Sequence, residues 1–143
     1  MVDLSAFRPN EGRQYPLSDV VRLTYEDFSD ANDSTNRLQF SHVPTGGMVV
    51  AGFVNVVTAY AGDTGTTATL DIGDADDPDR YTATPINLAA TGVTALTITG
   101  DVGATPDDLF AEFAGTLADL TAGEVVIYLE VVQEGRQNEA VVA

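Results

Sequence analysis

Apolar residues recur at every second position in several short runs of this chain, and turn residues separate the runs. The clearest run covers residues 66–72, where Ala68, Leu70 and Ile72 alternate with threonine and aspartate. Successive side chains of a strand point to opposite faces, so this spacing predicts a strand with one buried face. Comparable runs predict strands at residues 20–25, 37–40, 93–99 and 125–133, and short edge strands at 79–83 and 86–88.

The longest run, residues 48–60, is apolar at both odd and even positions. One face would carry Met48, Val50, Val54 and Val56, and the other Val49, Phe53 and Val57. A strand that is apolar on both faces is typical of the middle of a sheet that is covered on both sides. We therefore predict a central strand here.

Residues 106–119 fit two structures. Thr105 as N-cap, Pro106 at the first helical position and the following carboxylates predict a helix of three to four turns. Against a helix, Leu109, Ala111 and Phe113 also share one face of a strand, Gly115 weakens a helix, and residues 121–123 would close a hairpin. We favour the strand.

Together these elements predict an all-β protein: a β-sandwich, jelly-roll-like, with about eight short strands and one short helix near 106–119 as the alternative. The sandwich would span residues 19–134. Residues 1–18 are polar and contain Pro9, Gly12 and Pro16, which predicts an extended N-terminal arm. Residues 135–143 would form a C-terminal tail.

The charge of the chain restricts its partners. Its 22 acidic residues oppose six arginines, with no lysine, so the net charge is −16. Such a surface repels phosphate backbones and anionic lipids, which argues against nucleic-acid and membrane partners. Adaptation to high salt explains this charge; a GC-rich genome explains arginine in place of lysine but not the excess of carboxylates. The sequence has no cysteine, no apolar stretch long enough to span a membrane and no Sec-type signal pattern at its N-terminus.

The sequence offers no catalytic constellation. Its single histidine, His42, follows Ser41, and neighbouring residues of a strand point to opposite faces, so the two cannot easily act as base and nucleophile. We therefore expect no catalytic residue and no enzymatic activity.

The most suggestive chemical feature is an aspartate-rich segment, with candidate Ca²⁺ ligands Asp74, Asp76, Asp77 and Asp79. Alternating aspartates in a turn can supply hard oxygen ligands for Ca²⁺, although their spacing matches an EF-hand poorly. We expect that the protein requires no cofactor and that Ca²⁺ is a possible ligand. The alternative is a solvated turn stabilised by aspartate side chains, in which Arg80 neutralises the neighbouring carboxylates.

Four segments resemble small virion proteins of tailed bacterial and archaeal viruses: residues 43–50 (VPTGGMVV), 54–60 (VNVVTAY), 68–74 (ATLDIGD) and 76–81 (DDPDRY). The likeness covers about residues 38–100, with an echo at 117–130, and lies in strand order and turn chemistry. It implies a decoration, cement or minor capsid protein that sits on the capsid surface after synthesis in the host cytoplasm. Its partners would be the major capsid protein and its own copies, in a trimer or another cyclic oligomer.

The acidity would fit a virus of a halophilic archaeon or a marine bacterium. The alternatives are a tail, fibre or baseplate module, or a secreted β-sandwich that binds Ca²⁺ or carbohydrate. The polar arm would order on a partner of the lattice.

Overall fold

A computed structural model describes residues 17–28, 35–62, 67–100, 107–115 and 119–133. Within these residues the chain forms eight strands and a single 3₁₀ turn, Tyr25–Asp27. The strands are β1 (Leu17–Thr24), β2 (Thr35–Val43), β3 (Gly47–Gly62), β4 (Thr69–Gly73), β5 (Ile86–Asn87), β6 (Gly92–Ala95), β7 (Asp107–Ala114) and β8 (Leu120–Gln133). No helix in the described part of the chain has the length and hydropathy of a membrane span.

The strands form two antiparallel sheets of four strands each. Sheet 1 has the order β1-β8-β3-β6, and sheet 2 has the order β2-β7-β4-β5. The first strand pairs with the last, and the second pairs with the seventh, which is the strand arrangement of a jelly roll. The predicted all-β sandwich is therefore confirmed.

The core lies between the two sheets. Ala68, Leu70 and Ile72 are fully buried, as their alternation predicted. The inward residues of β8, namely Val125, Ile127, Leu129 and Val131, are buried as well. Phe28, Tyr60 and Phe113 form an aromatic cluster in this core, with the rings of Phe28 and Phe113 stacked at 3.5 Å between centroids. Because each aromatic side chain buries a large apolar area, such a cluster contributes much of the hydrophobic stabilisation of a small core.

Strand β3 is central, between β8 and β6, but the prediction that both of its faces are covered is wrong for the single chain. A bulge between Val49 and Ala51 shifts the alternation, so Val49 shares the core face with Val54 rather than lying opposite to it. On the outer face, Phe53 is 38% exposed and Val57 45% exposed. A prediction based on a strict period of two misses such a bulge, because one extra residue in the strand moves the following side chains to the opposite face.

The edge strand predicted at residues 79–83 is also wrong, because residues 78–81 form a turn. This segment folds back onto Gly73: a Cβ atom at that position would lie 2.2 Å from the carbonyl oxygen of Asp77. The Tyr81 amide then donates to the Ile72 carbonyl at 2.9 Å, and the Thr82 hydroxyl donates to Asp71 at 2.9 Å. The backbone thus satisfies its hydrogen bonds in the turn instead of in a ladder.

Residues 107–114 form a strand, which decides between the two predicted structures for this segment. Strand β7 lies between β2 and β4 and buries Leu109, Ala111 and Phe113. Pairing on both sides outweighs the local helix signals, since propensity is a weak preference that tertiary contacts override. Residues 105 and 106, which carried part of the helix signal, lie outside the described residues, as do the bulk of the predicted arm (1–16) and the tail (135–143).

Candidate functional site

The aspartate-rich turn is organised around one buried carboxylate. The side chain of Asp74 is 3% exposed. Its Oδ1 accepts hydrogen bonds from the backbone amides of Asp76 at 3.1 Å and Asp77 at 2.8 Å. The guanidinium of Arg80 donates to both carboxylate oxygens. Asp74 thus supports the turn from inside, and Arg80 neutralises it, as the alternative to a calcium loop predicted.

A second carboxylate, Asp107 at the start of β7, contacts Asp74. Burial alone would raise the pKa of Asp74, but the hydrogen bonds from Arg80 and the Asp77 amide, with the charge of Arg80, lower it below its ordinary value. The pKa of Asp107 is raised instead, by burial and by the charge of Asp74. The pKa values of the two acids are therefore shifted in opposite directions: Asp74 is held ionised, while Asp107 binds a proton more readily.

The four predicted calcium ligands do not form one cluster. Asp74 points inward to Arg80, whereas Asp76 and Asp79 are exposed. The carboxyl of Asp77 is hydrogen-bonded to Asp79, and this contact raises the pKa of Asp77. Among the described residues, no three carboxylate or imidazole groups are arranged to hold a metal ion. Calcium binding stays a prediction, and a rise in Tm on adding millimolar Ca²⁺ to chelator-treated protein would test it.

Ser41 and His42 contact different carboxylates. The buried Ser41 hydroxyl donates to Asp19 across the two sheets, and His42 Nδ1 lies 2.8 Å from Asp108 Oδ1. Both residues border an open cavity of about 540 Å³ beside β1 and β2. The serine hydroxyl and the histidine ring thus each contact a carboxylate from a different strand.

The outer face of sheet 2 is polar. In one cross-strand row, Arg37 of β2 pairs with Glu112 of β7, which pairs with Asp71 of β4. The Arg37 and Glu112 side chains form an ion pair at 2.6 Å, and the guanidinium lies 5.4 Å from the centre of the Phe110 ring. These side chains shield Phe110, the large apolar residue of this face.

The outer face of sheet 1 is apolar at its centre. Cross-strand pairing joins Val20, Tyr128, Phe53 and Ala95 in one row across β1, β8, β3 and β6. The rings of Phe53 and Tyr128 are stacked at 4.3 Å, and Val20 is 60% exposed. A shallow groove of about 160 Å³ runs beside Val20, Phe53 and Tyr128. We call this surface the apolar face; it comprises the outward residues of β1, β8, β3 and β6.

Sequence reasoning missed the apolar face as a site, although its residues carried a signal. The apolar outer positions of β3 indicated a covered face, but the cover was assigned to the same chain. Large exposed hydrophobic patches on soluble proteins mark interaction surfaces more often than accidents of composition. The apolar face is therefore the strongest candidate for a functional surface in this structure.

Comparisons of sequence find no relative: no protein-family model and no curated protein matches the chain. Comparisons of structure do. A chain in the cyanophage Pam1 capsid asymmetric unit aligns with a TM-score of 0.62 and 14% identity, over 90% of this chain and 91% of that one. A chain in the acidic stable capsid of Helicobacter pylori bacteriophage KHP30 aligns at 0.59 and 11% identity, over 84% and 89%.

A third match is to a chain in the capsid of Ralstonia phage GP4, with a TM-score of 0.56 and 17% identity over 93% of this chain and 90% of that one. At these identities the likeness concerns the fold alone. This chain therefore shares, over nearly its whole length, the fold of chains found in the capsid structures of three phages.

Proposed function

We propose that the protein is a structural component of a phage virion that decorates or stabilises the capsid by binding major capsid subunits and its own copies. The observation that carries this proposal is the match of the whole jelly roll to chains from phage capsid structures. The apolar face supports it, because a protein that acts by binding other subunits needs an uncovered surface of this kind.

The distribution of chemistry along the chain supports a binding role without catalysis. The buried carboxylate, Asp74, is engaged in holding a turn, and the single histidine pairs with a surface aspartate. Fold alone does not define function, and in the described part of the chain Asp74 and His42 are both engaged in structural contacts. A halophilic or marine source rests on the charge of −16 alone.

Co-sedimentation with purified capsids of the same virus tests the proposal. We expect the full chain to pellet with capsids and not with isolated tails. Pelleting with tails only would favour the tail, fibre or baseplate alternative. Failure to bind either one, together with a Ca²⁺-dependent rise in Tm, would favour a secreted binding domain.

The arm gives a second test. Because β1 begins at Leu17, deleting residues 2–16 leaves every described strand complete, so we expect an unchanged circular dichroism spectrum. We expect the deletion to abolish capsid binding, since a polar segment that orders on a partner contributes contacts only in the complex. A variant with the same arm residues in scrambled order is the matched control. Capsid binding by the deleted chain at full strength would show that the arm has no part in it.

A further inference from the structure

The exposed hydrophobic residues of this chain are concentrated on one side of the sandwich. The large hydrophobic residues that are exposed in the described part of the chain are Val20, Phe53, Val57, Val93 and Ile98. They belong to β1, β3 and β6 of sheet 1, or to the segment directly after β6. Sheet 2 contributes none of them among the described residues, although the inner faces of both sheets are apolar.

Strand register brings apolar residues of four strands side by side at the centre of the apolar face. The row of Val20, Tyr128, Phe53 and Ala95 is followed, two residues along each strand, by a row of Arg22, Val126, Asn55 and Val93. Four strands about 4.8 Å apart, over six residues at about 3.4 Å each, give a surface of roughly 19 by 20 Å. A patch of a few hundred Å² is the size that marks interaction sites on soluble proteins.

The two central rows of the apolar face contain no acidic residue, although the chain has 22. The outward rows of this face also include Ser18, Glu130 and Ala51 at one end, and Thr24, Glu124 and Thr58 at the other. Arg22 is the charged residue of the central rows, and the two glutamates of this face, Glu130 and Glu124, lie in the end rows. Arg22 and Glu124 moreover pair with each other at 2.5 Å.

We propose that the apolar face is buried against a second copy of this chain. Two acidic chains repel each other over most of their surfaces, and they can approach closely only where charge is sparse. The centre of the apolar face, which holds no carboxylate, is such a surface. A basic partner, by contrast, would be attracted to the acidic regions of the chain and would gain little from a surface without carboxylates.

This inference deepens the proposed function, because copies that contact each other on a shell add their separate contacts to the shell. The inference can also be tested independently of the proposed function, since self-association is measured on the purified chain. Closed symmetry is the default for homo-oligomers, and either a two-fold or a higher cyclic arrangement would bury this face. The mass in solution decides between them.

Val20→Lys is the first test, because Val20 is 60% exposed and its side chain is not part of the core. Gln39→Lys is its matched control: it adds the same charge to an exposed position of β2, the edge strand of sheet 2. Sedimentation velocity over a range of protein concentrations in buffered salt measures self-association. We expect Val20→Lys to raise the dissociation constant by more than about tenfold, since an unpaired buried ammonium is strongly unfavourable. We expect Gln39→Lys to leave it unchanged.

Val93→Lys repeats the test on β6, with Thr94→Lys on the same strand as its control. Val93 is 66% exposed and lies in the second row, while Thr94 is also exposed but lies on the other side of β6, opposite Val54. Circular dichroism and thermal melts verify that each variant folds, and the second position keeps the test decisive if one variant does not.

Four results would overturn the inference. A wild-type chain that stays monomeric at all concentrations excludes the second copy. Equal self-association of the wild type and both apolar-face variants places the contact elsewhere. Association that appears only after residues 2–16 are deleted would show that the chain's own N-terminal segment covers the face. A chain that stays monomeric, and whose Val20→Lys and Val93→Lys variants lose capsid binding, would show that the apolar face contacts the capsid shell.

Loss of capsid binding in every protein, with self-association intact, would instead contradict the proposed function alone.

Discussion

The two sheets of the sandwich are alike inside and different outside. Their inner faces meet in one core of buried aliphatic and aromatic residues. On the outside, sheet 2 presents Arg37 and Glu112 as an ion pair, whereas sheet 1 presents the stacked rings of Phe53 and Tyr128. The inner faces determine the fold, because burial of apolar surface is the main favourable term in folding. The outer faces are free of that requirement, so they can differ without changing the fold.

The largest expected effect concerns the turn at the end of β4 in sheet 2. We expect Asp74→Ala to lower the free energy of unfolding by about 3–5 kcal/mol, because it removes the buried acceptor of the hydrogen bonds from Arg80 and from the amides of Asp76 and Asp77. Urea unfolding followed by circular dichroism measures this. The result would show that the buried carboxylate directly after β4 supports the fold.

Asp76→Ala is the matched control, since Asp76 is an exposed aspartate of the same turn and contributes its backbone amide rather than its side chain. We expect it to change stability by less than about 0.5 kcal/mol. Equal losses in the two variants would contradict the central role of the buried carboxylate and point to the net charge of the turn instead.

The second prediction concerns the inner face of sheet 1. Gly123 of β8 has a φ angle of 143°, and a Cβ atom there would lie 2.4 Å from the ring of Tyr60. Tyr60 cannot yield easily, because it is 2% exposed and its hydroxyl donates to the Leu23 carbonyl at 3.2 Å. We expect Gly123→Ala to cost about 2 kcal/mol through overpacking and backbone strain.

Gly92→Ala separates these two causes. Gly92 has a similar φ angle of 149°, but nothing lies within 4 Å of a Cβ atom at that position. Thermal unfolding of both variants should therefore show a clearly smaller loss for Gly92→Ala. A loss of the same size would mean that backbone strain alone acts, and that the ring of Tyr60 accommodates the extra methyl group.

The alternation of apolar residues predicted the sandwich because it reports directly on the face that each side chain occupies. Residues 68–72 and 125–131 kept a strict period of two, and both lie in regular stretches of β4 and β8. Residues 48–60 did not, because the bulge at Val49 exchanged the faces of β3. Residues 79–83 failed for another reason: the close approach of the chain to Gly73 is a tertiary contact that strand propensity does not register.

The candidate sites were harder to predict than the fold. The aspartates at 74–79 and Arg80 were visible in the sequence, but Asp107, which contacts Asp74, is remote in the chain. Only the pairing of β7 beside β4 brings the two segments together. The apolar face required strand register, since Val20, Phe53 and Tyr128 come from three distant segments. Each residue alone is an ordinary exposed hydrophobic, and only the row is informative.

The third prediction uses the raised pKa of Asp107. A carboxyl whose pKa is higher in the folded than in the unfolded state favours folding when protonated, and this contribution is lost as pH rises through the folded pKa. We therefore expect Asp107→Asn to raise Tm at pH 7, where the like charge beside Asp74 is removed. The gain should disappear below the ordinary pKa of 3.8, because Asp107 is then protonated in both states. Thermal melts across this range check the sign, and a gain that persists in acid would assign the effect to packing.

The smallest expected effect compares one ion pair from each outer face. In sheet 2, Arg37 is 35% exposed and also contacts the Phe110 ring; in sheet 1, Arg22 is 68% exposed. Double-mutant cycles should give a coupling of about 0.5–1 kcal/mol between Arg37 and Glu112, and less between Arg22 and Glu124, because an exposed pair is screened by water and salt. Molar salt should reduce both coupling energies.

If a second copy covers the apolar face, the Arg22–Glu124 coupling should increase at protein concentrations where the chain self-associates, since burial removes that screening. The Arg37–Glu112 coupling should stay constant. Equal changes in both pairs would show that self-association does not distinguish the two faces.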